Sequence, residues 1–235
     1  MRETPANADA PFESRPSTFQ EYLARLKRTG SGLLVTGETP EWVQQHASRQ
    51  LFGTTRPHGD ERPRRRLVVQ TAQSFDAASY LPTGASLDDE NVAVVAASHV
   101  TRGAAAASGA SGTNSSPGGL SGLTERVVAG IEGLAVDVQP GELRVGVTSL
   151  LPLVETAGLA SAVEFYDTVA TAVREHAGMA HAHCPLPETD GRLDRFHSVV
   201  DGRVELRQEG TNPVQCRWET PYPELNTDQQ WVDFV

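Results

Sequence analysis

The stretch GSGLLVTGETPEWVQ, Gly30 to Gln44, decides how this chain is read. Leu33, Leu34 and Val35 make the short apolar run of a buried strand. Gly37 is free to take the positive φ that a tight turn demands. Thr39 as N-cap and Pro40 at the first helical position then predict a helix. Its apolar face would run through Trp42, Val43, Ala47 and Leu51 to a stop at Gly53.

Outward from this unit, strands and helices alternate. Ser17 and Gln20 form a capping box before Phe19, Tyr22, Leu23 and Leu26 at helical spacing, and Gly30 closes that helix. Downstream, Leu67–Thr71, Val92–Ala97, Leu143–Leu150 and Met179–Leu186 read as buried strands. Between them lie a short helix near Phe75 to Leu81, a helix capped by Ser121, and a long amphipathic helix from Ser161 to Ala177. A short helix over Leu193–Val200 precedes Arg203–Arg207 and Gln215–Thr220, which alternate about a Gly210–Pro213 turn as a hairpin. This order predicts an α/β fold: a three-layer αβα arrangement on a mostly parallel sheet, with the hairpin antiparallel at one edge. Residues 1–16 show no period and read as disordered, and 17–235 as a single domain. Its low-complexity stretch 103–119 reads as a flexible loop.

The chain has 235 residues, 20 basic and 30 acidic, for a net charge of −10. That excess argues against nucleic acid as a partner. Lys27 is the single lysine, and this acidic, arginine-for-lysine, Ala/Gly-rich composition points to a salt-adapted cytoplasm. No apolar run is long enough to span a membrane. Cys184 and Cys216 have no metal or redox spacing and are expected to be free thiols.

A phosphate-binding loop would read G-x-x-x-x-G-K-[ST] from Gly37. Here Trp42 replaces the second glycine, Val43 the lysine and Gln44 the metal-holding hydroxyl. Pro40 removes an N–H donor, while Glu38 and Glu41 place carboxylates where an anion would sit. Two unit charges at about 4 Å repel by roughly 4 kcal/mol at an effective dielectric near 20. Nucleotide binding is therefore not expected, and no cofactor is.

The stretches LLVTGETP, ELRVGVTSLLPLVE with AGMAHAHCPLP, and DGRVELRQ with QCRWETP together resemble the RecA/KaiC-like P-loop ATPases. More closely, they are similar to degenerate haloarchaeal KaiC-like proteins sometimes labelled HTR-like. The resemblance puts Thr148 at the position of the metal-ordering aspartate, and Gln70 and Gln73 where paired glutamates would serve as base. It implies a pseudo-ATPase acting as a regulatory or protein-interaction module, as a homo-oligomer or beside an active KaiC-like ATPase.

Two alternatives stay open. A weak, atypical ATPase would use Arg65 or Arg66 on phosphates, although Arg62–Arg66 reads more simply as a solvated loop. A metal-binding module would use His181 and His183, which share one face of a strand but lack the further ligands zinc needs. Neither Ser98 nor Ser149 sits in a nucleophile elbow. Trp218 is expected to face the core. Trp231 and Phe234 could dock on the parent domain or on another chain.

Overall fold

Strand β1, Ser31–Thr36, is buried along its whole length, and the other elements are arranged around it. A computed structural model of the chain describes residues 16, 18–55, 62–97, 119–226 and 230–234. In chain order these form α1 (Phe19–Thr29), β1, α2 (Glu41–Phe52), β2 (Arg65–Gln70), α3 (Ala77–Tyr80) and β3 (Val92–Ala96). There follow α4 (Leu120–Leu134), β4 (Leu143–Val147), α5 (Leu151–Ala157), α6 (Leu159–Glu175) and β5 (Met179–His183). Strands β6 (Gly202–Arg207), β7 (Gln215–Glu219) and β8 (Val232–Asp233) complete the fold.

All eight strands join one sheet in the order β3-β2-β4-β5-β1-β6-β7-β8. The pairings from β3 through β6 are parallel, and β7 and β8 add antiparallel at one edge. The expected α/β class, parallel sheet and terminal hairpin are all present. Side-chain alternation along the strands sorts the core. Leu67 and Val69 pack in a cluster with Leu123, Ile131, Phe165 and Val173 of α4 and α6. Val68, between them, packs with Phe52 of α2 and Tyr80 of α3.

Helix α6 lies very close to β1. A Cβ on Gly32 would fall 2.7 Å from the Ala170 Cβ. The Tyr166 hydroxyl donates to the Leu33 carbonyl at 2.6 Å. Asp201, just before β6, accepts from the Gly32 N–H at 2.8 Å and from Arg174 of α6 at 2.9 Å. One carboxylate thus binds the central strand, its covering helix and the next strand's entry.

Several local expectations change. Thr18, not Ser17, caps α1 by accepting from the Glu21 N–H; Ser17 lies outside the described residues. Pro40 is itself the N-cap of α2, with φ −58° and ψ 154°, so the helix starts one residue late. The α2 register turns Trp42 outward, 51% exposed, and buries Val43, Gln44, Ala47, Ser48 and Phe52. Gly119 rather than Ser121 precedes α4, and most of the 103–119 stretch lies outside the described residues. The helix expected over Ser161–Ala177 begins earlier, at Leu159, behind a separate α5. Gly158 breaks the pair with φ 90°.

The C-terminal aromatics dock on the parent domain. Trp231 lies under the Arg207 guanidinium, 4.1 Å from its ring centroid. The Phe234 N–H donates to Val214, and its carbonyl sits 3.0 Å from the His46 ring. Trp218 is only half-buried and meets Phe19 edge to face. Beside it, charges form a ladder on β6 and β7. Arg217 meets Glu188 at 2.6 Å and Glu205 at 2.5 Å, and Arg203 meets Glu188 at 3.4 Å and also Glu219. Among the described residues, no helix is long and apolar enough to cross a membrane.

Gly37 has φ 104°, and a Cβ there would fall 2.0 Å from the Leu206 carbonyl oxygen. Backbone strain and overpacking together set the cost of a side chain at this bend at about 3 kcal/mol. Gly133, in α4 with nothing within 4 Å of its added Cβ, is the control. Urea unfolding should show Gly37→Ala losing about that amount and Gly133→Ala gaining roughly 0.5–1 kcal/mol from helix propensity.

Candidate functional site

The carboxyl edge of the sheet at β1 is where an α/β protein places its ligands, and this chain has closed it. The Gly37 N–H donates to the Leu186 carbonyl at 2.9 Å, and the same residue presses on β6 at Leu206. Val43 is wholly buried, packed with Val35, Val204 and Leu206, so the residue that the sequence motif would align with a lysine points into the core. Gln44 turns its amide back to the Thr39 carbonyl at 3.1 Å. Glu38, Glu41 and Trp42 are exposed around the bend. These residues surround Gly37 with apolar contact and negative charge.

Thr148, one residue past β4, is 1% exposed. Its Oγ1 accepts from the Thr71 N–H at 3.1 Å and lies 3.1 Å from the Thr71 hydroxyl. The Thr148 N–H donates to Val69. The hydroxyl is consumed in tying the ends of β2 and β4 together. Ser149 accepts from the Leu151 N–H at the start of α5. The Gln70 amide donates to the Phe75 carbonyl, and Gln73 is exposed.

Arg65 and Arg66 lie elsewhere. They open β2, at the amino edge of the parallel sheet, whereas the Gly37 bend lies at the carboxyl edge. Arg66 is buried, and it donates to the Gly53 and Thr54 carbonyls at the end of α2. It serves the negative end of a helix dipole, which corrects the solvated-loop reading for Arg65 and Arg66, whereas 62–64 do lie in a loop with Arg62 exposed.

Beneath α2 and α3 the structure gathers residues that the sequence left scattered. His181 and His183 are 2% and 1% exposed, with ring centroids 5.6 Å apart. A His181 ring nitrogen pairs with the Ser48 hydroxyl at 2.8 Å, and Phe52 meets the ring edge to face at 4.9 Å. Tyr80 stands 6.0 Å from His183. Among the described residues, neither His183 nitrogen nor the Tyr80 hydroxyl has a partner. Gly146 makes room for this, since a Cβ there would strike Phe52 and His181. Ser48 and Phe52, one turn apart on α2, carried a sequence signal for a shared face. Tyr80 carried none.

Electrostatically the pair is held neutral. Burial drives the His183 pKa down to about 3. Burial, with His183 and Arg144 adding to it, holds His181 well below its ordinary value. Among the described residues, no group of three or more His, Cys, Asp or Glu is placed to hold a metal ion. Cys184 and Cys216 are free and buried, their thiols pushed up to about 12 and about 11 by desolvation. Such thiols are poor nucleophiles.

A model of a family of unknown function, DUF7504, matches residues 30–206. The chain belongs to that family. The match runs from Gly30 before β1 to Leu206 in β6 and so contains the closed bend, the threonine pair and both histidines. Helix α1 and strands β7 and β8 of this DUF7504 protein fall outside it. None of the curated proteins matches the chain.

Two buried neutral histidines have a measurable signature. Their pKa values are lower folded than unfolded, so the unfolded chain binds protons first as pH falls below about 6.5. Stability is therefore complete above about pH 7 and is lost as pH falls, down to about 3 for His183. Each excluded proton contributes a slope of about 1.4 kcal/mol per pH unit. Urea unfolding should lose about 2 kcal/mol per histidine between about pH 7.5 and 5. His183→Leu should remove about half of that loss and leave the fold intact.

Proposed function

We propose that this DUF7504 protein is a degenerate RecA/KaiC-like domain that works without nucleotide chemistry, as a cytoplasmic regulatory or protein-interaction module. The observation that carries this reading is the closed Gly37 bend. Its N–H is committed to Leu186 at 2.9 Å, and the lysine position is a core valine. A phosphate cradle needs inward N–H groups and a cation; the engaged Gly37 N–H and the uncharged Val43 both count against one. Packing of α4 and α6 with one set of strand side chains and of α2 and α3 with the other supports a three-layer arrangement. The parallel sheet and closing hairpin are in keeping with the RecA-like resemblance.

The partner is another protein: a second copy of this chain or an active KaiC-like ATPase. Trp42, 51% exposed and following the exposed Glu38 and Glu41 in sequence, is a large apolar group at this edge. Tryptophan is prominent among residues that anchor interfaces. The atypical-ATPase alternative loses its best candidates, because Arg65 and Arg66 stand at the far edge of the sheet. The metal alternative retains, among the described residues, His183 with both nitrogens unpartnered.

Calorimetry with Mg-ATP at high salt tests the reading. No saturable binding is expected below about 100 µM, and Val43→Lys should not restore hydrolysis. Saturable binding abolished by Gly37→Ala would overturn it. Sedimentation of the chain, alone and with a KaiC-like ATPase, should show an assembly that Trp42→Ala weakens about tenfold.

A further inference from the structure

The amino edge of the sheet carries a feature with no role in that reading. An open groove of about 860 Å³ runs between α1, the end of α2 and the Gln139–Glu142 turn before β4. Lys27, Arg62, Arg64 and Arg144 line it, with Glu142 as its carboxylate. In a chain of net charge −10, this hollow reverses the prevailing sign, and it holds the one lysine the sequence contains.

Its cations are unevenly satisfied. Arg62 pairs with Asp137 at 3.0 Å, and Glu142 already accepts from the Gln139 N–H at 2.7 Å. Arg64 spends one nitrogen on Thr54. Arg144, 8% exposed, donates to the carbonyls of Gly141 and Leu51 and touches the Met179 sulfur. Among the described residues, Lys27, Arg64 and Arg144 have no carboxylate partner, and the Arg144 Nη2 has no acceptor. Burial and the neighbouring Arg64 and Arg66 lower the Arg144 pKa to about 10, the shift expected of a cation without a counter-charge. The carbonyls at the end of α2 offset part of this charge, but a helix end is worth only about half a unit.

The rest of the lining is largely apolar: Leu23, Leu51, Met179 and Trp218 are half-buried around it, over the nearly buried Leu26 and Leu33. A fixed guanidinium set beside apolar lining is complementary to one class of molecule. Guanidinium forks match carboxylates in plane, and the leucines would cover a hydrocarbon body. We propose that this groove binds a small organic acid, a carboxylate on an aliphatic chain, its head at Arg144 and Lys27 and its body along the α1–α2 leucines. The site lies across the sheet from Gly37 and is independent of whether nucleotide binds there.

The probe is decanoate, titrated into the full chain by calorimetry. One-to-one binding with a dissociation constant below about 100 µM is expected. Neutral decanol and short-chain acetate should each bind at least about tenfold more weakly, separating the contributions of head and body. The double variant Lys27→Gln/Arg64→Gln should weaken decanoate at least about tenfold, while Arg28→Gln, exposed on α1, should not. Because Lys27 is the one lysine, mass spectrometry gives a second readout: decanoate should slow its acylation at least about fivefold. Arg144→Lys would also remove contacts to the Gly141 and Leu51 carbonyls and so mix stability with binding; the Lys27/Arg64 pair therefore carries the test. Absence of saturable binding, equal affinity for decanol, or unchanged affinity in the double variant would each overturn the proposal.

Discussion

The fold depends on the desolvation of β1. A strand buried at all six positions must find hydrogen-bond partners on both sides, and it does so through parallel pairing with β5 and β6. Gly32 lets α6 descend onto the strand, and Gly37 lets the strand's exit lie against the Leu206 carbonyl. Tyr166, Arg174 and Asp201 then supply the polar contacts that so close an approach requires. Side chains at either glycine would separate layers that hold the sheet together.

That constraint also shapes the carboxyl edge. A glycine bend kept for packing does not have to be kept for ligand binding. Here its amide is turned to Leu186, and the following helix buries Val43. Thr148 is likewise engaged in structure, since its hydroxyl joins two strand ends. In the interior behind this edge stand the two neutral histidines, whose environment opposes protonation.

Much of this was legible in the sequence, because apolar runs and glycine stops report burial directly. All four strands expected between Leu67 and Leu186 exist, as does the terminal hairpin, and the closed bend could be anticipated from GETPEWV. What was missed depended on register and distance. The inward face of α2 centres on Val43, Ala47 and Ser48, which leaves Trp42 outside it, and the apolar period alone does not fix that centre. The meeting of Tyr80 with His183, or of Arg144 with Lys27, joins residues far apart in sequence and becomes visible only once the strand order is known. Arg66 was misjudged because a run of arginines looks solvated, whereas one of them caps a helix from inside.

The carboxylate–guanidinium ladder on β6 and β7 bears on where such a protein can live. Its pairs lie 2.5–3.4 Å apart, about the roughly 3 Å Debye length of a molar electrolyte. Self-repulsion of a chain at −10 acts over much longer distances and vanishes first as counter-ions accumulate. Concentrated brine would thus quench the forces that expand the molecule while sparing much of the contact that binds its edge, so that ionic strength becomes a folding aid.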